Sequence, residues 1–215
     1  MRAGALNPYE RSLECGGSLS LLARDGRTVE LDIERYLAAV DDADRTVLDL
    51  CRGPVLDVGC GPGRMVEALA QRGLAALGVD LAVTAVDLTR SRGAVALVRD
   101  LYCRVPGEGR WPTVLVLDGN VGIGGDVDRL LRRVRGLLAR DGRAIVEADP
   151  DVWADEQMTM RFARDGVALG PSFPWAVVGA EPLGRRAVGA GLHAVGDWSA
   201  GGRSFVELAV GPSSP

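Results

Sequence analysis

No lysine occurs anywhere in the chain; all 25 basic residues are arginine. Schiff-base chemistry and a lysine general base are therefore excluded. Histidine is almost as scarce. The single His193 provides no histidine pair for a metal centre, and neither a Ser–His–Asp arrangement nor a metal-ligand cluster is apparent. Cysteine is limited to Cys15, Cys51, Cys60 and Cys103. They form no C-x-x-C pair, so neither a zinc site nor a disulfide framework is indicated, and a reducing cytoplasm is the simplest compartment. No apolar run reaches membrane length and the N-terminus lacks a signal-peptide pattern, so no membrane association is expected. Positive charge is not in excess either. A net charge of −4 argues against non-specific affinity for nucleic acid.

What is present is a chain of 215 residues, 47% hydrophobic and 25% charged, enough for one full core with a small elaboration. It is organised around Gly53–Val66. Val55, Leu56 and Val58 read as a short buried strand bounded by turn residues. Gly59, Gly61 and Gly63 follow at alternate positions. Met65, Val66 and Leu69 then mark one face of a helix that ends near Gly73. Such a turn brings bare backbone N–H groups and a positive helix end to a ligand. A second strand, Leu77–Leu81, carries Asp80 about 20 residues beyond the glycines, where a carboxylate accepts hydrogen bonds from ribose hydroxyls. Spacing narrows the nucleoside. The dinucleotide fingerprint G-x-G-x-x-G, counted from Gly59, would need its third glycine at Arg64; it stands at Gly63, behind Pro62, which disfavours a pyrophosphate.

The run Val55-Leu56-Asp57-Val58-Gly59-Cys60-Gly61-Pro62-Gly63 resembles motif I of the class I S-adenosylmethionine-dependent methyltransferases. The resemblance implies S-adenosylmethionine as cofactor. Asp57, Gly59, Cys60, Gly61 and Gly63 would form the cofactor loop and Asp80 would bind the ribose. Leu81 would lie on the adenine face, and Asp100 with Leu101, after a third strand at 94–98, would meet the adenine. The segment after a fourth strand, Val114–Leu117, would lie along the methionine part of the cofactor. It reads Asp118-Gly119-Asn120-Val121, and not the [DN]-P-P-[YF] of DNA amino-methyltransferases. No Pro-Cys pair of the cytosine-C5 kind occurs. Asp118, Gly119 and Asn120 are candidate contacts; a turn-forming Asp and Asn is the competing reading. The acceptor is therefore expected to be a small molecule.

Taken in order, residues 1–14 read as irregular. Leu19–Leu22 and Val29–Leu31 form a hairpin through Asp25-Gly26, and 33–50 a helix in two pieces split near Asp41-Asp42. Residues 1–50 are thus a cap, in which Tyr36 is a catalytic candidate, as is Asn120 in the core; a half-buried tyrosine is the alternative for Tyr36. Val127, Leu130, Leu131, Val134, Leu137 and Leu138 share one helical face. A fifth strand follows at 144–148, a helix at 180–190, and a hairpin at 193–198 and 203–210. Strand and helix alternate up to the fifth strand, which predicts a doubly wound parallel sheet. Five parallel strands plus a terminal antiparallel pair is the seven-stranded, Rossmann-like class I methyltransferase sheet. Residues 51–215 would form this core, with an aromatic insertion at about 150–178. Its Trp153, Phe173 and Trp175, with Asn120, are candidate substrate contacts, and Phe173-Pro174-Trp175 reads as a stiff turn over the crevice. Direct methyl displacement needs no dedicated base, so the catalytic residue stays open. Two alternatives remain at this point, a non-catalytic ligand-binding module and an aminopropyl transferase. Neither the acceptor atom nor the oligomeric state is legible.

Overall fold

In the computed structural model, residues 7–211 are described. Where an irregular start was expected, the chain forms helix α1 (Pro8–Cys15). Asn7 accepts from the Glu10 backbone while the Glu10 side chain accepts from the Asn7 backbone, a capping box with proline in the first turn. Residues 1–6 lie outside the described part. The expected hairpin follows as β1 (Leu19–Ala23) and β2 (Thr28–Leu31), then α2 (Ile33–Leu37) and α3 (Asp42–Leu50).

The core runs β3 (Val55–Val58), α4 (Arg64–Gln71), β4 (Ala76–Asp80), α5 (Val83–Ser91), β5 (Ala96–Val98), β6 (Trp111–Val116), a 3-10 segment (Asn120–Gly125), α6 (Val127–Leu137) and β7 (Leu138–Ala148). After the insertion strands β8 (Asp155–Arg164) and β9 (Val167–Val178) come α7 (Ala180–Gly189), β10 (Leu192–Ala200) and β11 (Arg203–Val210). One sheet has the order β10-β11-β7-β6-β3-β4-β5. Its five strands from β3 to β7 are parallel, and β11 joins β7 antiparallel. The expected doubly wound sheet is therefore present. On one face Leu56, Val58, Val114, Val116 and Val146 pack under the apolar stripe of α6 and under α7. On the other, Val55, Leu115, Leu117 and Ile145 meet α3 and α4. A strand buried on both faces reads as a continuous apolar run, which is why these segments were legible. His193 is exposed on β10, at an edge of this sheet.

The insertion does not stand alone. β8 pairs with β1, Leu21 opposite Phe162, so cap and insertion make one four-stranded sheet in the order β2-β1-β8-β9. Phe173-Pro174-Trp175 is accordingly no turn; it lies within β9 opposite Thr159 and its neighbours. Proline is tolerated because β9 is an edge strand. Among the described residues no helix is long and apolar enough to cross a membrane.

Candidate active site

A cavity of about 610 Å³ opens at the carboxyl ends of the parallel strands, between the seven-stranded sheet and the smaller one. That is where ligands bind in an open α/β sheet, and the size suits a small organic ligand. Gly59, Cys60, Gly61, Asp80, Leu81, Asp100, Leu101, Asp118 and Asn120 all line it, as do Tyr36, Phe173 and Trp175.

The glycine turn works differently from expectation. The amides of Gly59 and Cys60 donate to the Val79 carbonyl, that of Gly63 to the Cys60 carbonyl, and that of Gly61 to Asp80 Oδ2 at 2.9 Å. None of these N–H groups is bare. The turn instead supplies shape, with the three glycines at φ +68°, +52° and +84°. A Cβ at Gly61 would stand 3.1 Å from the Tyr9 hydroxyl, so Tyr9 of the cap reaches over the glycine turn. A Cβ at Gly63 would stand 2.5 Å from Thr89 Oγ1. That glycine does not line the cavity; it lets α4 pack against α5. Gly119 and Asp57 also lie outside the cavity lining. Cys60 contributes backbone, since its thiol tucks against Gly78 in the sheet, and burial pushes the thiol pKa up.

Asp80 is held by two backbone donors, Gly61 to Oδ2 and Ala82 to Oδ1 at 2.8 Å. Burial nevertheless raises its pKa against those bonds. Each oxygen keeps a lone pair for a further donor. Asp100 Oδ1 accepts from the Tyr102 amide, and the Leu101 side chain is buried beside it. Leu81 is 67% exposed at the cavity rim. Trp153 is equally exposed at 66% and lies outside the cavity, so the structure does not bring it to the other substrate candidates. It sits in the turn between β7 and β8, before the pairing that folds the insertion inward.

Asp118 adopts φ +57°, a left-handed backbone that aspartate tolerates better than most residues. Its carboxylate is gripped by Arg64 at 2.7 and 2.9 Å, touched by Arg35 at 2.9 Å, and approached by Arg203 at 3.3 Å. It is therefore a node in a buried ion network and not a free contact. Arg64 also holds Asp44 at 2.8 and 3.1 Å, and Arg203 holds Asp44 at 2.7 Å and Glu147 at 2.6 Å. Burial alone would raise the Asp44 pKa; the two guanidiniums outweigh it and hold it at about 2. Asp57, without such bonds, is pushed by burial up to about 7. Asn120 pins the 3-10 segment to the glycine turn, its amide donating to the Val58 and Gly59 carbonyls at 3.1 and 2.9 Å. A Cβ at Gly59 would collide with that amide.

Sequence reasoning missed Tyr9, Leu21, Leu31, Arg64 and Tyr102, all of which line the cavity. For Tyr9 a signal existed, because Asn7-Pro8-Tyr9-Glu10 is a helix-start pattern. Tyr9 and Tyr36 pack with Leu31 and Phe162. Phe162, Phe173 and Trp175 continue the wall, with ring centroids 5.1 and 6.2 Å apart.

Residues 55–142 match the family model of a methyltransferase domain. A ubiquinone biosynthesis O-methyltransferase of Neisseria meningitidis is 43% identical over 54 residues, 25% of this chain and 23% of that protein. The match thus spans about a quarter of the curated relative's length. Among solved structures, an S-adenosylmethionine-dependent methyltransferase from Bacteroides fragilis, in complex with S-adenosyl-L-homocysteine, superposes with a TM-score of 0.77. It is 20% identical, and the superposition covers 95% of this chain and 93% of that one. The CcbJ methyltransferase from Streptomyces caelestis gives a TM-score of 0.61 at 18% identity, covering 82% and 92% of the two chains. Residues 55–142 thus match a methyltransferase domain, and the whole chain shares the α/β fold and sheet of the S-adenosylmethionine-dependent methyltransferase it superposes on.

Proposed function

We propose that the protein transfers a methyl group from S-adenosylmethionine to a small molecule lodged under the four-stranded sheet. The observation that carries this is one cavity joining Asp80, the glycine turn and the aromatic wall. The residues fit the cofactor. Asp80 keeps lone pairs for two ribose hydroxyls, and Asp100 and Leu101, the expected adenine contacts, line the same cavity. When bound, S-adenosylmethionine supplies a methyl carbon on a sulfonium that is already a good leaving group. The chain's part is to hold two reactants in line, which is worth up to about 7–11 kcal/mol. Asn120 fixes the turn and the 3-10 segment in one register, and the ion network around Arg64 stiffens the floor. Aminopropyl transfer fits less well, because a cationic acceptor would want a free carboxylate and Asp118 is already neutralised by arginine. The net charge of −4 favours a small molecule over nucleic acid. The four free cysteines suit a reducing, cytoplasmic setting.

Calorimetry with S-adenosylmethionine tests the reading. Asp80→Ala should weaken binding by about 1.5–3 kcal/mol, the scale of hydrogen bonds to a charged group. Gly61→Val should weaken it further, since a side chain would enter the approach path. Unchanged affinity in both variants would remove the assignment, as would tight NADH binding without S-adenosylmethionine binding. Salt-sensitive binding of tRNA or duplex DNA with methyl incorporation would overturn the small-molecule part.

A further inference from the structure

The acceptor end of the cavity is chemically one-sided. Every side chain that the four-stranded sheet presents there is apolar: Leu21, Leu31, Phe162, Phe173, Pro174 and Trp175. No carboxylate of the lining is placed to take a proton from a molecule against this wall. Asp118 is saturated by guanidiniums. Asp80 already accepts one backbone amide on each oxygen, and in the methyl-transfer reading its remaining lone pairs go to the cofactor's ribose. Asp100 follows β5, three strands from β6 in the sheet order, or about 14 Å across the ladder. The Cys60 thiol is tucked against Gly78, and the Tyr102 hydroxyl donates to the Ile123 carbonyl at 3.2 Å. Arg64 is consumed by Asp44 and Asp118, while Arg99 and Arg129 belong to the Asp100 end, Arg129 stacked on Tyr102. The chain's one histidine is on β10.

Two polar groups do adjoin the wall. Tyr9 and Tyr36 line the cavity, pack with Leu31 and Phe162, and their hydroxyls have no hydrogen-bond partner among the described residues. Burial raises both pKa values, so both hydroxyls stay protonated and act as donors. Two donors beside an apolar aromatic wall match a ring bearing an oxygen.

Building on the methyl-transfer reading, we propose that the acceptor is an uncharged, planar phenol that packs on Phe162, Phe173 and Trp175, and that its proton leaves to water and not to the protein. Tyr9 and Tyr36 receive the resulting phenolate oxygen. That oxygen forms the O–C bond to the methyl carbon as the C–S bond breaks with its electron pair going to sulfur. An anion and a sulfonium thereby become a neutral ether and a neutral thioether. Ionisation belongs to the acceptor, so the pH midpoint of kcat/KM follows the acidity of the phenol supplied.

The test begins with calorimetry on protein saturated with S-adenosylhomocysteine, titrated with 2-naphthol, 2-naphthoate and 2-naphthylmethylammonium. 2-Naphthol should bind about tenfold or more tighter than either charged probe. Trp175→Ala should cost its binding about tenfold while S-adenosylhomocysteine affinity stays within about twofold. Tyr36→Phe should weaken the phenol and leave unsubstituted naphthalene unaffected. Across phenols of graded acidity that are methylated, the pH midpoint should move with the acceptor. Tighter binding of the carboxylate or the ammonium probe overturns the inference. So does a pH midpoint common to the whole series, which would report a protein base. Failure of S-adenosylhomocysteine itself to bind is a different result; it removes the methyl-transfer reading, and the acceptor assignment falls with it.

Discussion

Replacing Arg64 by methionine keeps much of the side-chain volume and deletes one charge from the buried network. Arg64 is 4% exposed and makes four hydrogen bonds, two to Asp44 and two to Asp118. Removing one partner of a buried pair costs about 3–5 kcal/mol, because the other charges stay buried without it. Here Asp44 keeps Arg203 and Asp118 keeps Arg35 and Arg203. The loss at pH 7 should therefore fall near the lower end, about 3 kcal/mol. The pH dependence is the sharper signature. Asp44 titrates at about 2 in the folded protein, against an ordinary 3.8. A depressed carboxylate contributes stability that is present above its unfolded value and lost as pH falls through its folded value; here the contribution is about 2.5 kcal/mol. Parent protein should lose about half of this contribution by about pH 3. Without Arg64 the depression of Asp44 shrinks, so the gap between variant and parent should close by about 1 kcal/mol between pH 7 and pH 3. Urea denaturation at the two pH values measures both quantities. A loss under about 1 kcal/mol at pH 7, or a gap that does not narrow on acidification, would refute the argument that the network is a buried, mutually compensated unit.

Gly63→Ala should destabilise the fold by about 1–3 kcal/mol, since its φ is +84° and the new Cβ would press on Thr89; thermal melting checks this, and it should affect cofactor affinity less than Gly61→Val does. Gly136→Ala should act in the opposite direction, raising stability by about 0.5–1 kcal/mol, because Gly136 is exposed within α6 and nothing crowds its Cβ position. Asp57→Asn should raise stability at pH 8. A buried carboxyl held up to about 7 costs stability as pH rises from its unfolded range through that value, so the advantage should shrink toward pH 4. An advantage of the same size at both pH values would assign it to packing.

Short-range pattern carried the core. Val55–Val58 and Val114–Val116 are strands buried on both faces, and α6 has an apolar stripe; each announces itself within a dozen residues. Gly59, Gly61 and Asp80 were legible because a strand–turn–helix–strand unit brings its own ends together. Boundaries were less so. β7 begins at Leu138, directly after α6, although periodicity put Leu138 on the helical face and the strand at 144–148. The reason is pairing: Trp111 of β6 faces Leu138 across the ladder.

The acceptor half of the cavity was decided by tertiary structure. Leu21 and Phe162 are 141 positions apart and meet only because β1 and β8 pair, a choice that depends on which sheet edges remain unpaired once the core is formed. The same contact placed Phe173 and Trp175 over the 3-10 segment, where a Cβ at Gly122 would strike the Trp175 ring. It left Trp153 in solvent. Asp118 read as a free polar residue until Arg35, Arg64 and Arg203 arrived from three separate elements to neutralise it. Local propensity has a range of a few residues, so it specifies strands, helices and the turns between them. Which of their side chains share a buried charge or a wall depends on the order in which the strands lie side by side.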